Sequence, residues 1–74
     1  MWIKIYNKII NLDNIISIDL LNGVKMIEIM HEQQLYPMRF EYSSNELARS
    51  KFNEISKLIA SVYNKEDVLK EFGE

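Results

Sequence analysis

The spacing of apolar residues changes once along this chain, near Ser43, and this change limits the folds that the chain can adopt. Before that point, apolar and polar side chains tend to alternate, as in Leu35–Tyr42, which is typical of half-buried β-strands. After it, apolar residues recur at spacings of three and four, as on an amphipathic helix. The predicted helix stripe consists of Ala48, Phe52, Ile55, Ile59 and Val62, widened by Leu47 and Leu58. We therefore predict one α+β domain over residues 1–74, with an antiparallel β-meander of about four or five strands within 2–42 and a helix over about 44–63.

The dipeptide Asn22-Gly23 is the strongest turn signal in the predicted strand region. Asn-Gly suits the positive φ values of a two-residue type I′ hairpin turn, so Leu21 is expected to face Val24. This register pairs Ile18 with Ile27 and Asp19 with Met26. It gives one hairpin face that is nearly all isoleucine and a second face that mixes charged with apolar side chains. We expect the isoleucine face to pack on the core and the mixed face to meet solvent or a partner.

The remaining strands are predicted from shorter patterns. Trp2–Tyr6 alternates about Lys4 and is expected to form an edge strand, followed by a turn at Asn7-Lys8 and a return strand over residues 9–11. Leu35–Tyr42 is expected to be the last strand, and Pro37 places it at a sheet edge or at a bulge, because proline donates no hydrogen bond.

The predicted helix begins with a capping box, in which Ser43 is the cap and Glu46 lies three residues on. Asn64 is expected to end the helix. Residues 65–74 are predicted to form a short helical or frayed tail.

The small size of the chain suggests that it is stabilised by a partner. A domain of 74 residues buries a modest part of its unfolded surface, and such domains often rely on disulfides, metals or association. The sequence has no cysteine and a single histidine, His31, which removes disulfides and the usual zinc sites. We therefore expect a homo-oligomer, a dimer or larger, or else a complex with another protein.

Composition also limits where the chain acts. The absence of cysteine fits a cytoplasmic protein, and the first residues lack the pattern of a secretory signal. The sequence contains no apolar run of about 20 residues, so we expect no membrane span. The net charge of −2 provides no general attraction to nucleic acid.

Catalytic and cofactor-binding motifs are not evident in the sequence. His31 and Glu28 are three residues apart on a predicted strand, where they point to opposite sides, so we expect His31 to be a surface residue at a strand end. Gly23 and Gly73 are the two glycines, too few for a phosphate-binding loop. We therefore predict a non-enzymatic protein with no metal, no cofactor and no small-molecule substrate.

The mixed face of the central hairpin is the main candidate interface. Exposed apolar patches tend to mark interaction surfaces, and methionine adapts readily to a partner. The candidate interface residues are Ile15, Leu21, Val24, Met26 and Met30. Alternatively, the sheet curls so that the first strands cover this face. A second route to association is the edge of Trp2–Tyr6, which has a single charged residue and no proline to protect it.

Nucleic-acid binding is the alternative function that the sequence leaves open. Aromatic side chains on strands can stack with single-stranded bases when cations lie nearby. The residues that would form such a surface are Trp2, Lys4, Tyr6, Tyr36 and Arg39. Their ordinary role would be to pack the core or cover a sheet edge, and the basic residues are spread along the chain.

Residues 1–5 and the segment Ile9–Ile15 carry a resemblance to known proteins. An apolar first strand followed by an Ile-Asn-Leu-Asp-x-Ile-like segment, a hairpin and a helix resembles a loose group of small bacterial proteins of unassigned function. Glu46, Ala48 and Phe52 match the helix start of that group. The resemblance implies a β-meander-plus-helix fold, akin to half of a pleckstrin-homology-like barrel, and it transfers no catalytic residue.

Taken together, these patterns predict a cytoplasmic, non-enzymatic interaction module that associates with itself through a sheet face or an edge strand. The alternatives are a nucleic-acid-associated accessory protein and a small phage- or plasmid-borne inhibitor of a host protein.

Overall fold

The described part of the chain folds into six strands, a short 3-10 helix and one long α-helix. The computed structural model describes residues 1–60 and 70–74. Their elements are β1 (Trp2–Ile5), β2 (Lys8–Asn11), the 3-10 helix (Leu12–Asn14), β3 (Ile15–Leu21), β4 (Met26–His31), β5 (Met38–Glu41), α1 (Asn45–Ala60) and β6 (Lys70–Glu71). The predicted α+β class is confirmed, with a β-meander and a helix that follows it. Within the described ranges, no helix combines the length and the apolar character that crossing a membrane requires.

The strands form two three-stranded sheets. The first sheet has the order β2-β1-β6, and the second sheet is the meander β3-β4-β5. In the first sheet, β1 pairs antiparallel with β2 and parallel with β6. The prediction that Trp2–Tyr6 forms an edge strand is therefore wrong, because β1 lies at the centre of its sheet. The predicted turn after β1 lies one residue earlier, at Tyr6-Asn7, since Ile5 pairs with Lys8.

The register of the central hairpin differs from the predicted one by two residues. Leu21 pairs with Met26 rather than with Val24, so the turn is a four-residue loop over residues 22–25. Gly23 and Lys25 both have positive φ in this loop, at 86° and 58°. Because side chains alternate with a period of two, a shift of two residues leaves β4 with the predicted faces. Ile27 and Ile29 are accordingly fully buried.

A β-bulge at the start of β3 changes the faces of two isoleucines. The register shifts between Ile15 and Ser17, which leaves Ile16 without a partner in the ladder and 65% exposed. Ile15 turns inward and packs against the core. The prediction that Ile15 faces outward and Ile16 inward is therefore wrong.

Both sheets and the helix contribute to one hydrophobic core. Its fully buried isoleucines come from β1 (Ile3 and Ile5), β4 (Ile27 and Ile29) and α1 (Ile55). Each such side chain stabilises the fold by about 1.5–3 kcal/mol through removal from water. The other buried hydrophobic residues are Ile10, Leu12, Phe40, Tyr42, Ala48 and Phe72.

The helix α1 begins one residue later than the capping box predicts. The cap is Ser44, whose Oγ accepts a hydrogen bond from the Leu47 N–H at 3.1 Å. The apolar stripe is confirmed at Ala48 and Ile55, which are buried, and at Phe52, which is partly buried. Ile59 is 45% exposed, contrary to the prediction. Val62 and the predicted helix end at Asn64 lie outside the described residues.

The last residues are held in place, with Lys70 and Glu71 in a strand paired to β1, which corrects the prediction of a helical or frayed tail for residues 70–74. The Phe72 N–H donates to the Lys4 carbonyl at 2.7 Å, and the Phe72 side chain is buried. The Tyr42 hydroxyl donates to the Phe72 carbonyl at 2.6 Å. The Glu74 carboxylate accepts a hydrogen bond from the Ser43 N–H, and hydrogen bonding by Ser43 lowers the Glu74 pKa. The remainder of the predicted tail, 65–69, lies outside the described residues.

The last strand of the meander is shorter than the predicted Leu35–Tyr42. It covers Met38–Glu41 and begins directly after Pro37, at the sheet edge, as proline requires. Leu35 and Tyr36 lie instead in the β4–β5 loop and are 89% and 80% exposed.

Candidate interaction surface

The second sheet has one face on the core and one face directed away from it. The inner face packs with α1, because residues of β4, β5 and α1 belong to the same core cluster. The side chains that alternate with the inner ones form the opposite, outer face. The outer face consists of Ser17, Asp19 and Leu21 on β3, Met26, Glu28 and Met30 on β4, and Arg39 and Glu41 on β5.

A row of three charged residues crosses the middle of the outer face. Asp19 pairs with Glu28 in the register of β3 and β4, and Glu28 pairs with Arg39 in that of β4 and β5. The Arg39 Nε lies 2.9 Å from the Glu28 Oε2, and the Arg39 side chain remains 63% exposed. Two carboxylates therefore lie side by side with one cation, and like charges directly opposite each other are destabilising.

Asp19 has no cation of its own among the described parts of the chain. It is exposed, and the ion pairs formed by residues 1–60 and 70–74 do not include it. Arg39 is already held by Glu28 on the far side of β4 from Asp19. The row thus keeps a negative end on β3 and a positive end on β5.

Apolar residues lie on both sides of the charged row. At the loop end of the hairpin, Leu21 and Met26 form a cross-strand pair, and Val24 in the adjoining loop is 50% exposed. At the other end, Met30 pairs with Ser17. Leu21, Met26 and Met30 are half-buried, yet none of them packs against the core cluster formed by residues 1–60 and 70–74. They are apolar side chains that lie outside this described core.

Three of the five predicted interface residues lie together on this face. Leu21, Met26 and Met30 belong to it, Val24 lies in the loop at its end, and Ile15 packs on the core side instead. Sequence reasoning missed the charged row, because the predicted register pairs Asp19 with Met26 rather than with Glu28. The signal for the row was present in the sequence, but it depends on the correct turn length.

The predicted aromatic and basic surface is not assembled in one place. Trp2 and Lys4 lie on β1 in the first sheet, on the side away from the core, whereas Arg39 lies on the outer face of the second sheet. Tyr36 lies in the β4–β5 loop. Tyr6 is engaged within the fold: its hydroxyl donates to the Glu41 carbonyl at 2.7 Å, and its ring centroid lies 5.7 Å from that of Tyr42. Burial raises the pKa of Tyr6, as do the nearby carboxylates.

The described residues offer little that resembles a catalytic or ligand site. His31 is the last residue of β4, as expected for a strand-end histidine, and its Nδ1 accepts the Gln33 N–H at 3.3 Å. Within residues 1–60 and 70–74, no group of three metal-ligating side chains comes together. A depression of about 370 Å³ runs along one face of α1 and is lined by Asn45, Glu46, Arg49, Ser50 and Asn53. Among the described residues, its lining comes from one helix and consists of exposed side chains, so these residues do not enclose a ligand.

Comparison with known proteins gives no relative for this chain. No family model matches it, and neither a curated protein nor a solved structure does. The resemblance to small bacterial proteins therefore stays a prediction, and the outer face is the feature from which a function can be proposed.

Proposed function

We propose that this chain is a non-enzymatic protein–protein interaction module that associates with itself through the outer face of the second sheet. The observation that carries the proposal is the position of Leu21, Met26 and Met30, which are half-buried and lie on a face directed away from the core. Apolar side chains that keep part of their surface in contact with water on one sheet face favour association, because a partner that covers them removes this remaining surface from water. The absence of cysteine supports a cytoplasmic setting for this association.

The outer face is a better candidate than the free strand edges. The edge that the sequence suggested is unavailable, since β1 is paired on both sides. The longest edge strand among the described residues is β3, with seven residues, but it carries a bulge at Ile16 and a charge at Asp19. Bulges and charges are the features by which natural sheets prevent edge-to-edge pairing. A partner is therefore expected to cover the face of the second sheet rather than to extend it.

The size of the domain supports association as well. Its core consists of eleven buried hydrophobic residues among those described, and a domain this small leaves much apolar surface outside such a core. Binding of a second copy stabilises the folded state by mass action, because the unfolded chain does not present the assembled face.

The test compares glutamate substitutions on the outer face with one on the first sheet. Met26→Glu and Met30→Glu place a charge on the outer face and are expected to raise the dimer dissociation constant at least tenfold, while the monomer stays folded. Ile9→Glu is the matched control, because Ile9 is 58% exposed on the first sheet. Dissociation constants from dilution experiments, with circular dichroism for folding, give the comparison. Association that is weakened by the Ile9 change and insensitive to both methionine changes would refute the outer face as the interface.

A further inference from the structure

We propose that two copies of this chain pack outer face to outer face around a two-fold axis parallel to β4, so that Asp19 of each copy meets Arg39 of the other. This inference rests on the proposed self-association and specifies its geometry and its recognition chemistry. It starts from the order of charges in the central row, which is negative on β3, negative on β4 and positive on β5.

The symmetry of a dimer decides which charges meet. Consider a two-fold axis that runs parallel to β4 and lies between the second sheet of one copy and the second sheet of the other. This axis places β3 of each copy over β5 of the other and leaves the charged rows of the two copies directly opposite each other. Asp19 of one copy then lies over Arg39 of the second copy, and the same contact occurs twice. Packed sheets lie about 10 Å apart and nearly aligned, a separation that an arginine and an aspartate side chain can bridge.

The alternative face-to-face arrangement brings like charges together. A two-fold axis that also lies midway between the two copies, but runs perpendicular to the strands, places β3 of one copy over β3 of the other and β5 over β5. When it passes through the charged row, Asp19 meets Asp19 and Arg39 meets Arg39. Glu28 lies on the central strand and faces its own counterpart about either axis, so it does not distinguish them. At Asp19 and Arg39 the perpendicular axis gives like-charge contacts, which are strongly unfavourable, whereas the axis parallel to β4 gives opposite charges. The charge order therefore selects the axis parallel to β4.

Arg39 is suited to link the two copies. Its Nε is bonded to Glu28 of its own chain at 2.9 Å, while its side chain is 63% exposed. A guanidinium has five N–H donors in a planar fork and can bind two carboxylates at once. In the proposed dimer each Arg39 lies between Glu28 of its own sheet and Asp19 of the second copy. The second copy therefore supplies the cation that Asp19 lacks among the described residues of its own chain.

The apolar residues of the central strand are brought together by the same axis. Met26 and Met30 lie on β4, beneath the axis, so each faces its own counterpart in the second copy. Methionine side chains adapt their shape to such symmetric contacts. Glu28 lies between them on β4 and likewise faces Glu28 of the second copy, and each of these carboxylates is paired with the Arg39 of its own chain. The resulting interface has two methionine contacts with a charged row between them.

The size of the face predicts a weak dimer. Three strands about 4.8 Å apart and six residues at about 3.3 Å each give a face of roughly 14 by 20 Å. A standard stable interface buries about 800 Å² per partner, well above what this face can provide. Association is therefore expected at micromolar concentrations or higher, and samples in that range are needed to detect it.

The decisive variant is Asp19→Lys. In the monomer, the introduced lysine would face Glu28 and replace a repulsive cross-strand pair by an attractive one, so the melting temperature should stay the same or rise. In the dimer, the same lysine would meet Arg39 of the second copy, and the dissociation constant should rise at least tenfold. The alternative axis predicts no change, because two aspartates facing each other are replaced by two lysines facing each other.

The double variant Asp19→Lys, Arg39→Glu reverses the row and provides the control. Its charges read positive, negative, negative from β3 to β5, which is the mirror image of the native row. The proposed axis then pairs the introduced lysine of one copy with the introduced glutamate of the second copy. The dissociation constant should therefore return to within about threefold of the native value, since the pair keeps opposite charges.

A cross-linking experiment tests the same geometry without changing any charge. The native sequence has no cysteine, so Met26→Cys and the control Ile9→Cys each introduce a single thiol. A bismaleimide linker of about 10 Å, matched to the spacing of packed sheets, should join two Met26→Cys chains rapidly and leave Ile9→Cys largely monomeric.

The outcomes test the orientation of the two-fold axis separately from the identity of the outer face as the interface. Weakening by Asp19→Lys, rescue by the double variant and selective cross-linking at position 26 support the axis. An unchanged dissociation constant in Asp19→Lys, beside a weakened Met26→Glu, refutes the axis but retains the face. Insensitivity to both changes refutes the face as well.

Discussion

Tyr42 shows how a single residue connects distant parts of this fold. It is 2% exposed, its N–H donates to the Lys25 carbonyl at 2.7 Å, and its hydroxyl donates to the carbonyl of Phe72 at 2.6 Å. These bonds join the segment after β5 to the hairpin loop on one side and to the last residues of the chain on the other. A buried hydroxyl with a partner of this kind is stabilising chiefly because its loss would leave the carbonyl unsatisfied.

Replacing Tyr42 by phenylalanine should therefore lower the free energy of unfolding by about 1–2 kcal/mol, since the ring is kept and the hydrogen bond to Phe72 is lost. Urea denaturation at neutral pH measures the change. Tyr36→Phe is the matched control, because Tyr36 is 80% exposed and its hydroxyl should contribute less than about 0.5 kcal/mol. Equal effects of the two substitutions would contradict the role assigned to Tyr42.

The same variant changes the response to alkaline pH. Burial raises the pKa of Tyr42 above its ordinary value of about 10, and the neighbouring Tyr6 and carboxylates raise it further. The folded state therefore holds this proton more tightly than the unfolded chain, so the contribution to stability is complete below about pH 10 and is lost as the pH rises beyond it. Tyr42→Phe should accordingly lose less stability than the native chain between about pH 9 and 11, as urea denaturation at a series of pH values would show.

The N-terminus of α1 provides a test at the level of a secondary-structure element. Ser44 caps the helix through its Oγ, whereas Ser43, which the sequence favoured as the cap, lies outside the helix and contacts Glu74. Ser44→Ala should lower the free energy of unfolding by about 1 kcal/mol, as the loss of an N-cap does, and Ser43→Ala should cost less than about half of that. Thermal or urea unfolding of the two variants distinguishes the caps, and a larger effect at Ser43 would show that the predicted capping box is formed after all.

The periodicity of apolar residues predicted the strands and the helix well, but it did not predict the length of the hairpin loop or the pairing of very short strands. The alternation in the strands and the stripe from Ala48 to Ile55 depend on side-chain burial, which leaves a repeating pattern in the sequence. Asn22-Gly23 suggested a two-residue turn, yet a four-residue loop with Lys25 at a φ of 58° uses the same dipeptide. The strand β6 has two residues, too few to show any period, and it is fixed by tertiary contacts of Phe72 instead.

At the scale of the whole molecule, the sequence predicted the apolar half of the candidate surface and missed the charged half. Because the register error was two residues, Leu21, Met26 and Met30 kept their predicted face. The same error separated Asp19 from Glu28, so the row that ends at Arg39 could not be deduced. The bulge near Ser17, which turned the preceding residues of β3 to the opposite faces, is likewise a consequence of pairing that no local pattern indicates.

Among the described residues, both sheets share one hydrophobic core, and the outer face of the second sheet lies outside it. Sedimentation equilibrium of the native chain, from about 10 µM to 1 mM, tests most directly whether that face is an interface. We expect the weight-average mass to rise with concentration from 8.8 kDa toward twice that value, and Met26→Glu to stay at 8.8 kDa over most of the range. A native chain that remains at 8.8 kDa up to the highest concentration would contradict the proposed self-association.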